Sequence, residues 1–220
     1  GTLIDWEPTI LRSLRELTEG AGLDVTDAAL LDGFDRARAH YQALSPARAY
    51  PRVLRSAYAY VADEHGLALD PAAQRRFGDS VPEWLPYDDS VAALARLAAG
   101  FTLGALTNMD EASFAESHAR LGDCFDVVVT AERAGAYKPS LRHFVLGLTD
   151  LAARDIPPQR VLHVAQSLRA DVRPCNLLGQ DVVWINRSGL ALGHTGFGAE
   201  LAQPIAEFPT MQKFVETFVG

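Results

Sequence analysis

Phe101-Thr102-Leu103-Gly104-Ala105-Leu106-Thr107-Asn108 is an apolar run of strand length that breaks into a hydroxyl and an amide. A helical stretch over Ser90 to Ala99 precedes it and another over Glu111 to Leu121 follows. The pattern then repeats: a strand over Phe125 to Thr130, a helix over Leu141 to Leu151, a strand over Arg160 to Ala165, a short helix over Val172 to Leu178 and a strand over Asp181 to Ile185. Strands alternating with helices in this way predict a parallel α/β sheet with crossover helices. Gly100, Gly122 and Gly179 each follow a helical stretch, where a C-terminal cap belongs.

Toward the N-terminus the character changes. From Glu7 to about Trp84 the chain reads as helix after helix, with apolar stripes at Leu11, Leu14 and Leu17, at Leu30, Leu31 and Phe34, and at Val53, Leu54, Ala57, Tyr58 and Val61. No strand signal interrupts them. The expected organisation is therefore a Rossmann-like core made of residues 1–6 and 85–220, carrying an all-helical cap over residues 7–84.

Composition narrows the classes of function. The 220 residues are 48% hydrophobic and 22% charged, which is ordinary for a globular domain. No segment approaches the roughly 18 uninterrupted apolar residues of a membrane span, so a soluble protein is expected. The net charge is −8 and the arginines are scattered, which argues against nucleic acid and against an anionic membrane as partners. Any bound anion must be held locally. Cys124 and Cys175 lie far apart without metal-ligand spacing, and they read as unpaired, buried thiols of a reducing, cytoplasmic compartment. The start, Gly1-Thr2-Leu3-Ile4-Asp5-Trp6, has no signal peptide and no initiator Met, and reads as a loop rather than the beginning of a domain. A homodimer is the default expectation for oligomeric state.

In an open parallel sheet, ligands bind beyond the carboxyl ends of the strands. Three successive strands deliver polar residues there: Thr107 and Asn108, then Lys138 through Ala134-Gly135, then Ser167 and Asp171. Hydroxyl and amide groups at such positions can donate to an anion, and they are also ordinary turn and helix-cap residues. Lys138 stands out because the chain has two lysines against eighteen arginines. A compact ammonium does what a planar guanidinium cannot.

These residues, together with Tyr137-Lys138-Pro139, Val164-Ala165-Gln166-Ser167 and Val183-Trp184-Ile185-Asn186-Arg187, resemble the later motifs of the haloacid dehalogenase superfamily. The likeness is greatest to its L-2-haloacid dehalogenase branch. Gly1-Thr2-Leu3-Ile4-Asp5 looks like the tail of that family's first motif, whose nucleophilic aspartate would lie three residues before the Gly and so ahead of Gly1. The resemblance implies cleavage of the carbon–halogen bond of small 2-haloalkanoic acids through an aspartyl ester, with inversion at carbon and no cofactor. It assigns catalytic work to Lys138, Asp171 and Thr2: Lys138 keeps the nucleophile ionised, Asp171 orients or activates the hydrolytic water, and Thr2 hydrogen-bonds the nucleophile. Thr107, Asn108 and Ser167 would bind the substrate carboxylate.

Two rival readings use the same fold. A phosphatase of the superfamily needs magnesium and hard carboxylate ligands. Its fourth motif would carry a Gly-Asp pair or two adjacent acids, where this chain has Ala165-Gln166 and then only Asp171. A non-catalytic binding protein on a degenerate scaffold is the second rival.

Other positions carry weaker signals. In the dehalogenase branch a cap arginine helps receive the halide, and the matching position falls on Asp35, beside Arg36 and Arg38. Arg169-Ala170 replace the more usual aromatic and His. Tyr41, Tyr58, Tyr60 and Trp184 read as core aromatics, His163 as a satisfied core histidine, Asp88-Asp89 as helix N-caps and Gly193-His194-Thr195-Gly196 as a surface loop.

Overall fold

The structure, a computed structural model, describes residues 1–44, 48–189 and 199–219. Gly193-His194-Thr195-Gly196 therefore lies outside the described residues. The first helices are α1 (Glu7–Glu19), α2 (Asp27–Leu44), α3 (Tyr50–Glu64) and α4 (Pro71–Gly78). Proline at the first turn starts α1, α3 and α4, where its missing N–H costs nothing. Asp70 caps α4 by accepting from the N–H groups of Ala72 and Ala73. The stripes expected from sequence meet: Ile10, Leu14, Leu30, Phe34, Val53, Leu54, Ala57 and Val61 are buried in one cluster. Phe34 sits at its centre, edge-on to Phe77 and tilted against Trp6.

The helical layer joins the rest of the chain through two short strands. β1 (Ile4–Asp5) and β2 (Leu85–Pro86) pair antiparallel, with Ile4 opposite Pro86 and Asp5 opposite Leu85. Beyond β2 the chain alternates as expected: α5 (Ser90–Ala98), β3 (Gly104–Leu106), α6 (Glu111–Arg120), β4 (Val127–Val129), α7 (Ala131–Ala134), α8 (Arg142–Ala152), β5 (His163–Ala165), α9 (Arg173–Leu177), β6 (Val182–Ile185), β7 (Ala206–Phe208) and α10 (Met211–Phe218). The strands are shorter than their apolar runs. Phe101 is exposed, and Pro158–Arg160 form a 3₁₀ turn in place of the expected strand start. Gly122 and Gly179 take positive φ after their helices, whereas Gly100 does not.

The parallel sheet comes in two pieces. β3 pairs with β4, and β5–β6–β7 form the other piece, all parallel. β6 is buried along its whole length. Its alternate side chains go to opposite faces: Val182 and Trp184 pack with Phe144, Leu168 and Cys175, while Val183 and Ile185 pack with Ala93, Met211 and Phe214. Each such side chain contributes on the order of 1.5–3 kcal/mol on burial. β3 and β5 face each other across a cavity of about 1070 Å³, which extends upward between their carboxyl ends and the helical layer.

Cys175 is buried and Cys124 partly buried, and neither is in a disulfide. Asp89 departs from the N-cap role expected for it. Its Oδ1 pairs with Arg187 Nη2 at 3.0 Å, and its Oδ2 accepts from the N–H of Gln212 at 3.1 Å, so it serves α10 rather than its own helix.

Candidate active site

Lys138 sits in the turn between α7 and α8. Gly135 ends α7 at φ 59°, the left-handed conformation that a side chain would strain, and so turns the chain toward the cavity. Asn108 then fixes the lysine backbone from both sides: its Oδ1 accepts from Lys138 N at 2.6 Å and its Nδ2 donates to Lys138 O at 3.2 Å. The Asn108 amide, expected to bind substrate, is in this way largely committed to holding the turn. The Lys138–Pro139 peptide bond is cis.

The lysine side chain runs inward. Its Nζ donates to Leu106 O at 2.7 Å, satisfying the last carbonyl of β3, and to Asp171 Oδ1 at 2.7 Å. Both side chains are nearly enclosed, at 11% and 6% exposure, so solvent screens the pair far less than a surface bridge. His163, at the start of β5, places its Nε2 3.1 Å from the same Asp171 Oδ1. Burial alone would raise the Asp171 pKa, but the Lys138 ammonium and the bonds from His163 and Lys138 outweigh it and hold the carboxyl well below the usual carboxylate range.

The carboxylate is carried by a wide π-helical turn, Leu168–Val172, of the kind that often marks functional sites. Ser167 caps that turn, with Oγ accepting from Ala170 N at 3.0 Å. Thr107 Oγ1 likewise accepts from Met109 N at 3.2 Å, and Thr2 Oγ1 accepts from Gln166 N at 2.9 Å. Each hydroxyl is thus oriented through its oxygen, which leaves its proton to donate. All six residues expected from sequence line the one cavity. A Cβ at Gly1 would come within 2.8 Å of Gln166 Oε1 and push that flexible side chain aside.

The segment before Trp6 is held from behind. Arg187 Nε donates to Thr2 O at 2.9 Å, and its guanidinium lies 3.8 Å from the Tyr87 ring centroid. Trp184 Nε1 donates to Gln166 O at 2.9 Å, tying β6 to the end of β5. His143 is fully buried, with Nε2 3.2 Å from Thr107 O and Nδ1 without a partner among the described residues. Burial first, and then Lys138, push its pKa down to about 4.

Several cavity residues differ from expectation. Arg36 lies at the cavity's exposed edge, paired with Asp32 and Glu64. Arg38 faces the cavity, 4.8 Å from the Trp6 ring centroid and 5.3 Å from that of Phe34, with Asp35 bonded to its Nη2 at 2.6 Å. Arg169 lines the same space, and its pKa is lowered first by burial and then by Arg38. Of the four aromatics noted in the sequence, Tyr58 and Trp184 are core as expected. Trp6, the residue directly after the family-like motif, is among the aromatics that do line the cavity; its place beside the Gly-Thr-Leu run is the available signal. His163 is satisfied, but by Asp171 rather than by the core.

The arrangement offers an ionised carboxylate fixed by an ammonium, two hydroxyl donors at the strand ends and a guanidinium stacked above. It suits a small anionic molecule. As a magnesium site the donor set is poor: Asp171 Oδ1 already takes two donors, and no group of three or more His, Cys, Asp or Glu among the described residues could hold a metal ion.

The sequence profile described as haloacid dehalogenase-like hydrolase matches residues 1–179. (S)-2-Haloacid dehalogenase H-109 of Pseudomonas putida is 30% identical over 140 residues, which span 62% of this chain and 61% of that relative. Among solved structures, the L-2-haloacid dehalogenase RSc1362 superposes with a TM-score of 0.82 at 19% identity, over 100% of this chain and 95% of that one. The L-2-haloacid dehalogenase of Xanthobacter autotrophicus gives 0.79 at 20% identity, over 100% and 95%. At such identities these two likenesses speak for the fold.

Proposed function

The chain belongs to the haloacid dehalogenase-like hydrolases, and from that premise we propose that it hydrolyses the carbon–halogen bond of small 2-haloalkanoic acids through an aspartyl-ester intermediate. The observation that carries the reading is the enclosed Lys138–Asp171 pair beneath the hydroxyls of Thr107 and Ser167. The relative from Pseudomonas putida, itself a (S)-2-haloacid dehalogenase, supports it.

Substrate enters between a cap over residues 7–84 and a core of residues 1–6 and 85–220. Its carboxylate is received by Thr107 and Ser167, whose oxygens already accept backbone N–H bonds and whose protons are left to donate. The nucleophile of this reading is a carboxylate on a strand leading into Gly1. The facing edges of β3 and β5, with Gly1 and Thr2 at the cavity between them, support that place for it. The carboxylate attacks the carbon bearing the halogen from the side opposite the departing halide. A carbon–oxygen bond forms, the carbon–halogen bond breaks with its electron pair, and configuration inverts.

Lys138 has two tasks. It offsets negative charge at the attacking carboxylate, and it holds Asp171 ionised and still. Asp171 takes a proton from water as the water oxygen bonds to the ester carbonyl carbon. The tetrahedral centre then expels the alkoxide, which takes that proton and leaves as the 2-hydroxy acid. The Arg38 guanidinium, rather than Asp35 or Arg36, receives the halide, because it lies over the Trp6 ring, whereas Arg36 is paired with Asp32 and Glu64 and Asp35 is an anion. No cofactor takes part. The unbonded Cys124 and Cys175 support a cytoplasmic setting, and among the described residues no helix is long and apolar enough to cross a membrane. A homodimer, argued on symmetry grounds, would show in sedimentation velocity.

Halide release from (S)-2-chloropropionate by the full-length protein in excess EDTA tests the reading. Turnover that survives the chelator supports it. Hydrolysis of phosphate esters only on addition of magnesium, with no halide released, overturns it.

A further inference from the structure

His163 belongs to neither the core nor the anion-binding set, yet it reaches the carboxylate on which hydrolysis depends. Its Nε2 and the Lys138 Nζ converge on a single atom, Asp171 Oδ1, at 3.1 Å and 2.7 Å. An ionised carboxylate only accepts, so Nε2 must carry a hydrogen. With two donors on Oδ1, the carboxyl can no longer rotate freely about its Cβ–Cγ bond. Asp171 Oδ2 takes no hydrogen bond from the described residues and is left for a water.

From this geometry we infer that His163 is a positioning residue for the second half of the reaction, holding Asp171 so that Oδ2 presents a lone pair to the hydrolytic water. The inference rests on the dehalogenase reading above and deepens it by dividing the labour around Asp171. Lys138 serves both steps, being tied to Asp171 and to the end of β3. His163 touches only Asp171 among these groups, so its effect should fall on ester hydrolysis and not on halide displacement.

The surroundings fit that division. His163 is 16% exposed, its ring is tilted against Phe144 at 5.5 Å, and its own N–H bonds Asp181 O at 3.0 Å in the β5–β6 edge. The imidazole is thus clamped on one face and by its backbone. The other ionisable groups close by are the buried His143, held neutral by burial and Lys138, the Cys175 thiol, pushed up to about 12 by burial and Asp171, and the Arg169 guanidinium, which feels the Asp171 charge. None of the three is hydrogen-bonded to the Asp171 carboxylate. The proton balance is that of the hydrolysis already written: water O–H to Asp171 Oδ2, then to the departing alkoxide, with His163 keeping its Nε2 hydrogen throughout.

The test separates the two steps in the full-length protein with (S)-2-chloropropionate. His163→Phe should release one equivalent of halide at the wild-type rate and then slow by roughly 10–100-fold, the value of a hydrogen bond to a charged group. Intact-mass analysis of the quenched variant should show the ester accumulated. His163→Gln, which returns an N–H near the same place, should restore steady turnover to within a few-fold. The initial burst also reports that the variant is folded. If His163→Phe releases no halide at all, His163→Leu carries the same measurement with a smaller side chain. Wild-type turnover by both apolar variants overturns the inference, and so does slowing of both steps alike with no ester and no rescue by Gln. A wild-type protein that releases no halide overturns the dehalogenase reading, and the inference with it.

Discussion

Lys138 Nζ stands 2.7 Å from Asp171 Oδ1 and 2.7 Å from the carbonyl oxygen of Leu106. One ammonium therefore ties the turn after α7 to the end of β3 and to the π turn after β5. It joins the two pieces of the sheet at the level where chemistry is expected, and it does so with a point charge whose three protons diverge.

Lys138→Arg keeps the charge but not the geometry, because a planar guanidinium cannot reach both oxygens from the same backbone position. Turnover should fall by roughly 100-fold or more, as expected when charge-assisted bonds at a reacting centre are lost. Far-ultraviolet dichroism and the melting temperature should change little. Near-normal turnover in this variant would return Lys138 to a structural role.

Asp171→Asn removes the base while leaving a side chain of the same shape. One equivalent of halide should still appear, followed by a steady state slowed by about 10²–10⁴-fold. Rapid-quench halide assays resolve the two phases. Equal loss of burst and steady state would place Asp171 in the first step instead.

Arg38→Ala strips the guanidinium from the face of Trp6 and from the cavity. Loss of a largely desolvated cation over an aromatic ring, with its ligand contact, is worth about 2 kcal/mol, so KM for the haloacid should rise on the order of tenfold or more. Arg36→Ala, facing Asp32 and Glu64, should leave KM unchanged. Equal effects of the two would dismiss the inward-facing arginine.

His143 gives stability a pH dependence. Its pKa is about 4 in the folded protein, against roughly 6.5 unfolded, so the unfolded chain binds the extra proton between those values. The sign follows: stability is full above about pH 6.5 and falls as pH drops toward 4, by up to about 3 kcal/mol from this group. Denaturant titrations across that range should show a shallower fall in His143→Gln. An identical slope in both proteins would contradict the assignment.

Asp89→Ala leaves Arg187 enclosed without its counter-charge, at 11% exposure, and frees the N–H of Gln212. Removing one partner of a buried pair costs about 3–5 kcal/mol. Urea unfolding reads it directly, and a loss below about 1 kcal/mol would mean that Tyr87 and Thr2 alone hold the arginine.

Much of this was legible in the sequence, for identifiable reasons. Strand length and the change from apolar to polar at Leu106–Thr107 gave both a strand and its functional end. The same rule placed Lys138, Ser167 and Asp171 beside one another. What escaped were partnerships set by tertiary geometry. β1, β2 and β7 are two or three residues long, too short for any alternation to register. His163 reads as core because its polar partner lies eight residues on, within a π turn that no propensity announces. Asp89 stood where a helix cap would stand, and only the return of α10 beside it shows which N–H groups it serves.

The pairing of β1 with β2 has a practical side. Ile4 lies opposite Pro86 and Asp5 opposite Leu85, so the chain leaves for the helical layer and comes back about one strand spacing, some 5 Å, away. The two attachment points are thus a socket of fixed width. A different helical module spliced in after Asp5 and before Leu85 would need ends equally close, and it would also have to meet Tyr137, beside Lys138, and Asp110, which now bond Arg48 O and Tyr50 N of the helical layer.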